Sequence, residues 1–225
     1  MKIGILKTGH APDIVLDELG DYEVMFANLL AGHGFEFDAY NVVDGEFPSG
    51  PEAADGWLIT GSKHGAYEGL HWIAPLEQLI RDIYADGRPL VGVCFGHQVI
   101  AQALGGTVEK FDGGWSVGVT EYEIEGTRLP LNAWHQDQVT TLPEGAEVVG
   151  SSAFCENAAL VYGDRIYTIQ PHPEFTATMV DRLIHYRGPG NVPDALLKDA
   201  MERLDQPVAN AEIANRMATF FKRGA

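Results

Sequence analysis

The sequence predicts an α/β fold: an open, mostly parallel sheet with helices on both faces, followed by a short C-terminal helical extension. Three observations predict it. Over roughly the first 105 residues, short apolar runs alternate with segments whose apolar residues repeat at three and four, as in strands joined by crossover helices. Two of those runs, Trp57-Leu58-Ile59-Thr60 and Pro89-Leu90-Val91-Gly92-Val93, are almost wholly apolar, the pattern of strands covered on both faces. Past Gly105-Gly106 the texture changes to short β-rich runs and then returns to helical spacing.

The elements follow in order. Lys2 to Lys7 is a strand ended by the Thr8-Gly9 turn signal. Tyr22, Met25, Phe26, Leu29 and Leu30 give a helix over 21–31, stopped by Gly32 and Gly34. Phe35, Phe37 and Ala39 alternate with Glu36, Asp38 and Tyr40 in a second strand. Residues 44–55, rich in Gly, Pro and acid, read as a loop. The strand at 57–60 runs into Gly61-Ser62, and Trp72, Ile73, Leu76, Leu79, Ile80 and Ile83 mark a helix over about 72–85. The strand at 89–93 passes at once into a helix carrying Val99, Ile100, Ala103 and Leu104. Strands are expected at 117–124, 128–133, 146–154, 159–163 and 165–169, and helices at 175–187, 194–204 and 208–222. The stretch Arg187-Gly188-Pro189-Gly190-Asn191-Val192-Pro193 reads as a linker. Residues 1–187 are therefore expected to form the main domain, with 188–225 packed on it and too small to fold alone.

Composition narrows the function. The chain has 225 residues, 45% of them hydrophobic, with a net charge of -17. Such a surface repels nucleic acid and anionic membranes, so neither is expected as a partner. No run of 18 apolar residues occurs. Lys2, Lys7 and Gly9 interrupt the start too early for the core of a signal peptide. Two cysteines are too few for a disulfide scaffold, and a reducing, cytoplasmic location is expected.

The sharpest local feature is Gly92-Val93-Cys94-Phe95-Gly96, where a buried strand ends and a helix begins. This is the nucleophile-elbow arrangement with Cys in the Ser position. Its glycines suit a strained corner at which neighbouring backbones approach closely. The helix N-terminus offers positive potential to the sulfur, and the Phe95 N–H would face a developing oxyanion. A thiol nucleophile needs a base, and the base needs an orienting group. Pro171-His172-Pro173-Glu174 supplies both after an apolar run. The flanking prolines bias the backbone toward extended geometry, which would put His172 and Glu174 on one face. Cys155, and the histidines at 10, 33, 64, 71 and 185, read as structural.

Together these residues resemble class I (triad-type) glutamine amidotransferases over about residues 40–185. Cys94-Phe95-Gly96-His97-Gln98 with Leu104-Gly105-Gly106 is similar to that family's nucleophile segment, and Pro171-His172-Pro173-Glu174 to its His-Pro-Glu box. The resemblance implies a flavodoxin-like fold and a γ-glutamyl thioester on Cys94, with His172 as base and then acid, and Glu174 as its orienter. It implies that Gln98 binds substrate and that backbone N–H groups of Gly61, Ser62 and Phe95 form the oxyanion hole. Ser62 stands where synthase-linked members usually carry a second Gly. Trp134-His135-Gln136-Asp137-Gln138-Val139 resembles the family's Ser-His-x-Asp-x-Val stretch, which makes His135 and Asp137 candidate substrate contacts. The run from Thr60 to Tyr67, followed by Trp72-Ile73, is similar to the stand-alone branch that includes γ-glutamyl peptidases.

The reading that follows is a hydrolase of the γ-glutamyl amide bond of glutamine or of a γ-glutamyl amide or peptide, needing no cofactor and no metal. No ATP-pyrophosphatase or P-loop signature is present, so a synthase role would require a separate polypeptide. The alternatives are a glutaminase subunit feeding ammonia to such a partner and a non-enzymatic redox or stress sensor. A homo-oligomer is also compatible with the sequence. A metal site at Cys94, His97, His172 and Glu174 is disfavoured, because no second ligand pair accompanies the Cys-x-x-His spacing.

Overall fold

A computed structural model describes residues 1–223 of the chain. The short apolar runs become the parallel half of a nine-stranded sheet: β1 (Lys2–Leu6), β2 (Glu36–Tyr40), β3 (Gly56–Ile59), β4 (Leu90–Val93) and β11 (Ile166–Ile169), in the order β2-β1-β3-β4-β11. Every residue of β3, β4 and β11 is buried, which explains their uniformly apolar character. Beyond β11 the sheet continues antiparallel through β10 (Ala159–Tyr162), β9 (Glu147–Ser152), β6 (Ser116–Ile124) and β7 (Thr127–His135). Glu125 and Gly126 join β6 to β7 with φ of 50° and 73°, the left-handed pair that a two-residue hairpin turn requires.

Among the described residues the α-helices are α1 (Asp13–Leu19), α2 (Tyr22–Leu29), α3 (Ile73–Asp86), α4 (Phe95–Ala103), α5 (Ala177–Tyr186), α6 (Asp194–Glu202) and α7 (Asn210–Arg223). Side-chain alternation along the strands assigns them to faces. Leu6, Trp57, Ile59 and Leu90 pack with α3 and α4 on one face. Ile3, Ile5, Leu58, Val91 and Val93 pack with Phe26 of α2 and with Ile213, Met217 and Phe221 of α7 on the other. The α/β fold with helices on both faces is thus as the sequence indicates.

Two features were not expected from the sequence. Helix α1 has seven residues and buries only Val15, with Ile14 and Leu16 exposed, so it carries no amphipathic stripe to read. Strands β5 (Thr107–Lys110) and β8 (Asp137–Thr141) form a separate two-stranded sheet, and β5 buries a single residue, Val108. Of the segment beyond 188, α6 lies against β6, where a Cβ on Gly118 would come within 2.7 Å of Ala200 Cβ, and α7 shares the core of the first strands. Residues 224 and 225 of that segment lie outside the described residues. Among the described residues no helix is long and apolar enough to cross a membrane.

Candidate active site

The parallel strands end on one edge, and the site is built there. Strand β4 stops at Val93 and α4 starts at Phe95, so Cys94 alone must turn the chain. It does so with φ 53° and ψ -103°, on the left-handed side that L residues avoid. Bonds at both ends hold it there: its N–H donates to the Ile169 carbonyl of β11 (2.9 Å), and its carbonyl accepts the Gln98 N–H of α4 (3.1 Å). The flanking glycines are required by space. A Cβ on Gly96 would lie 2.3 Å from the Ile59 carbonyl oxygen, and one on Gly92 would lie 2.7 Å from the Gly96 carbonyl.

His172 follows β11 on the neighbouring strand end. Its N–H donates to the Asn132 carbonyl of β7 (2.8 Å), and its Nδ1 lies 2.7 Å from Glu174 Oε1. A carboxylate only accepts, so Nδ1 carries the proton and Nε2 is the nitrogen left for chemistry. The segment is a turn rather than the extended run expected from its prolines. His172 forms a single bridge to β7, and the Phe175 N–H returns to the His172 carbonyl (3.4 Å). Adjacency of His172 and Glu174 therefore comes from chain reversal.

The imidazole sits in a narrow slot. The Phe175 ring stacks on it at 3.9 Å between centroids and 3° between planes. Near the imidazole also lies Gly61, where a Cβ would be 2.9 Å from His172 Cε1. Burial by itself would lower the His172 pKa, but its neighbours Cys94 and Glu174, through charge and hydrogen bonding, push it well above the usual imidazole range. The site thus favours an imidazolium wherever a thiolate faces it.

The loop after β3 is laced to the loop after β1. Thr8 Oγ1 lies 3.0 Å from the Gly61 carbonyl, and Ser62 Oγ donates to the Thr8 carbonyl (2.6 Å). Phe95 is the first residue of α4, so its N–H has no partner within the helix, while its ring packs on Trp72 at 5.4 Å.

Ser62, Cys94, Gln98, His135, Asp137 and His172 line one cavity of about 500 Å³. Gly61 and Glu174 do not line it but flank His172. Gln98 donates its amide to the Asp137 carbonyl (2.9 Å) and to Gln170 Oε1 (3.0 Å). Burial holds His135 neutral, its pKa down to about 3 with help from the nearby His172 charge, although its hydrogen bond to the Asp137 backbone opposes this. Burial also raises the Asp137 carboxyl above its usual range, against the Tyr67 hydroxyl that bonds it at 3.1 Å. His97 does not line the cavity; it is fully buried with Nδ1 2.8 Å from Thr168 Oγ1.

Sequence reasoning missed several parts of this site. Trp115, just before β6, and Trp134 of β7 wall the cavity, and Lys63, Lys110 and Arg187 bring cations to it from three separate segments. Asn132, Phe175 and Gln170 hold the central groups. Phe175, directly after the His-Pro-Glu run, Trp134, directly before His135, and Lys63, after Gly61-Ser62, had local cues; the others did not.

Fold and site together define an α/β protein with a cysteine at a strand-to-helix corner beside a histidine–carboxylate pair. The chain belongs to the class I glutamine amidotransferase family, whose model matches residues 40–187. Among curated relatives, γ-glutamyl peptidase 4 of Arabidopsis thaliana is 33% identical over 181 residues, 73% of this chain and 72% of that protein. The glutamine-hydrolysing GMP synthase of Azoarcus sp. strain BH72 is 33% identical over 185 residues, 70% of this chain but 34% of the synthase. The crystal structure of a glutamine amido transferase from Methylobacillus flagellatus shares the fold, with a TM-score of 0.80 over 99% of this chain and 94% of that one at 24% identity.

Proposed function

We propose that this chain hydrolyses the γ-glutamyl amide bond of glutamine or of a γ-glutamyl amide or peptide, through a thioester on Cys94. One observation carries the reading: Cys94 stands at the corner with His172 facing it, and the far nitrogen of that imidazole is fixed by Glu174 at 2.7 Å. In the first half-reaction His172 takes the thiol proton and the sulfur attacks the γ-carbonyl carbon. Backbone N–H groups of Phe95 and of the Gly61-Ser62 loop receive the oxyanion. The carbon–nitrogen bond then breaks and His172 returns the proton to the leaving amine. In the second half-reaction water attacks the thioester, His172 accepts its proton, and the thiol and free glutamate are regenerated. Gln98, His135 and Asp137 contact the substrate from the cavity wall.

The choice of leaving amine draws on the cavity. About 500 Å³, with two tryptophans and three cations around it, is ample for an amine larger than ammonia. This supports a γ-glutamyl compound over free glutamine, in line with the name of the Arabidopsis relative.

The test is release of glutamate by the purified chain from glutamine, glutathione and a panel of γ-glutamyl amides. Higher kcat/KM on a γ-glutamyl amide or peptide supports the peptidase form, and a preference for glutamine shifts the reading to a glutaminase. Activity only after addition of a partner from cell extract would make the chain a synthase subunit. Cys94→Ala should reduce turnover to background, His172→Ala should cost about 10²–10⁴-fold, and Glu174→Ala should cost less because orientation is weakened rather than lost. Wild-type turnover in Cys94→Ala would end the proposal, and a larger loss in Glu174→Ala than in His172→Ala would reverse the two roles.

A further inference from the structure

Phe175 is held with unusual completeness for a residue in a turn. Its ring is buried and lies flat on His172. Its carbonyl accepts two side-chain amides, Asn132 Nδ2 from β7 and Asn210 Nδ2 from α7, each at 3.0 Å. Asn132 grips the same turn a second time, because its own carbonyl accepts the His172 N–H (2.8 Å). The start of α7 is tied to β7 as well, through the Ala209 N–H on the Pro130 carbonyl (2.8 Å). A carbonyl with both lone pairs taken, by the buried Asn132 amide and the half-buried Asn210 amide, has little freedom to rotate, and the ring of the same residue is fixed with it.

We infer that Asn132 and Asn210 are positioning residues for His172: through the Phe175 carbonyl they keep the Phe175 ring flat against the imidazole and so hold its Nε2 toward Cys94. Rotation of the imidazole is then resisted by Phe175 on one side, Gly61 close by, and the Glu174 bond at Nδ1. Helix α7, although it begins 38 residues after His172 in sequence, becomes part of the machinery that aligns the base. The inference rests on the reading of His172 as the base for Cys94.

The test uses the full chain and four proteins: wild type, Asn210→Ala, Phe175→Leu and the double variant. Two readouts are taken, kcat and KM on the best γ-glutamyl substrate, and the rate at which iodoacetamide alkylates Cys94 at pH 7, located by peptide mass. Cys155 does not interfere, since burial pushes its thiol up to about 12. Each single variant should lose about 10-fold in kcat with KM unchanged, as expected when a reacting group is misplaced by a fraction of an ångström. Alkylation should slow in the same order. The double variant should be no worse than Phe175→Leu, because Asn210 acts only through Phe175. Additive losses in the double variant, or wild-type kcat and alkylation in Asn210→Ala, would overturn the inference. Thermal melts accompany each variant, and Asn210→Asp, which keeps the size and removes the donor, replaces Asn210→Ala if that protein does not fold. Cys94→Ala and His172→Ala run alongside. Wild-type turnover in either removes the underlying reading, whereas loss in both with Asn210→Ala unaffected removes the positioning role alone.

Discussion

Cys94 occupies a backbone conformation that costs on the order of 1–3 kcal/mol and persists because its N–H, its carbonyl and two flanking glycines leave no alternative. Burial also keeps two histidines near the site in their neutral form. His97 and His135 each have a pKa down to about 3; burial is the main cause, with His135 adding charge repulsion to the first and His172 to the second. Both stay neutral in the fold, yet both bind a proton below about pH 6.5 once the chain unfolds. The unfolded state then carries more protons, so stability rises with pH across this window. The contribution is complete above about pH 6.5 and is lost as pH falls toward 3. Replacing His97 by Gln should flatten the slope of urea-unfolding free energy between pH 6.5 and 4 relative to wild type. An unchanged slope would mean that His97 is protonated in the folded protein.

At the scale of elements, the decisive unit is strand β4, its corner and helix α4. Their packing depends on the absence of two Cβ atoms. Gly96 lets α4 come against the Ile59 carbonyl at the end of β3, and Gly92 lets β4 pass under the first turn of the same helix. The helix start, the Gly61 loop and Cys94 are placed together by this close approach. Gly96→Ala should therefore destabilise the protein by about 3 kcal/mol through overpacking against backbone that cannot give way, measured by urea denaturation. The shift of α4 should also lower kcat more than the loss of stability accounts for at 25 °C. A variant as stable as wild type would show that α4 moves freely against β3.

At the scale of the whole molecule, helix α7 completes one of the cores. Ile213, Met217 and Phe221 of α7 are fully buried against β1, β3 and α2. Phe221→Ala should cost about 3–5 kcal/mol, read as a lower urea midpoint with unchanged slope. Removal of residues 190–225 should leave a chain that no longer melts cooperatively, because it would expose Ile3, Ile5 and Leu58. Cooperative melting of the shortened chain would show that α7 is an accessory.

The sequence by itself determined most of the local elements and the candidate site residues Cys94, His172 and Glu174. The strands at 57–60 and 89–93 and the helix after Cys94 are written in short-range patterns: apolar runs, three-and-four spacing, and glycine placement around one cysteine. His172 and Glu174 are marked by the flanking prolines and the family resemblance, not by the geometry that brings them together. The sequence also signals the helix over 208–222, expected to pack on the main domain, although not which strands it covers. Tertiary structure alone decided that the His172 segment turns back instead of extending, since that depends on the bridge to Asn132. It alone brought Asn132, Asn210 and Phe175 to the His172 turn, Trp115 and Trp134 to one wall, and β5 beside β8. The physical reason is the range of the information. Periodicity reports which face of an element is buried, whereas meetings between distant residues depend on strand order and register, which are fixed only when the sheet closes and every element packs at once.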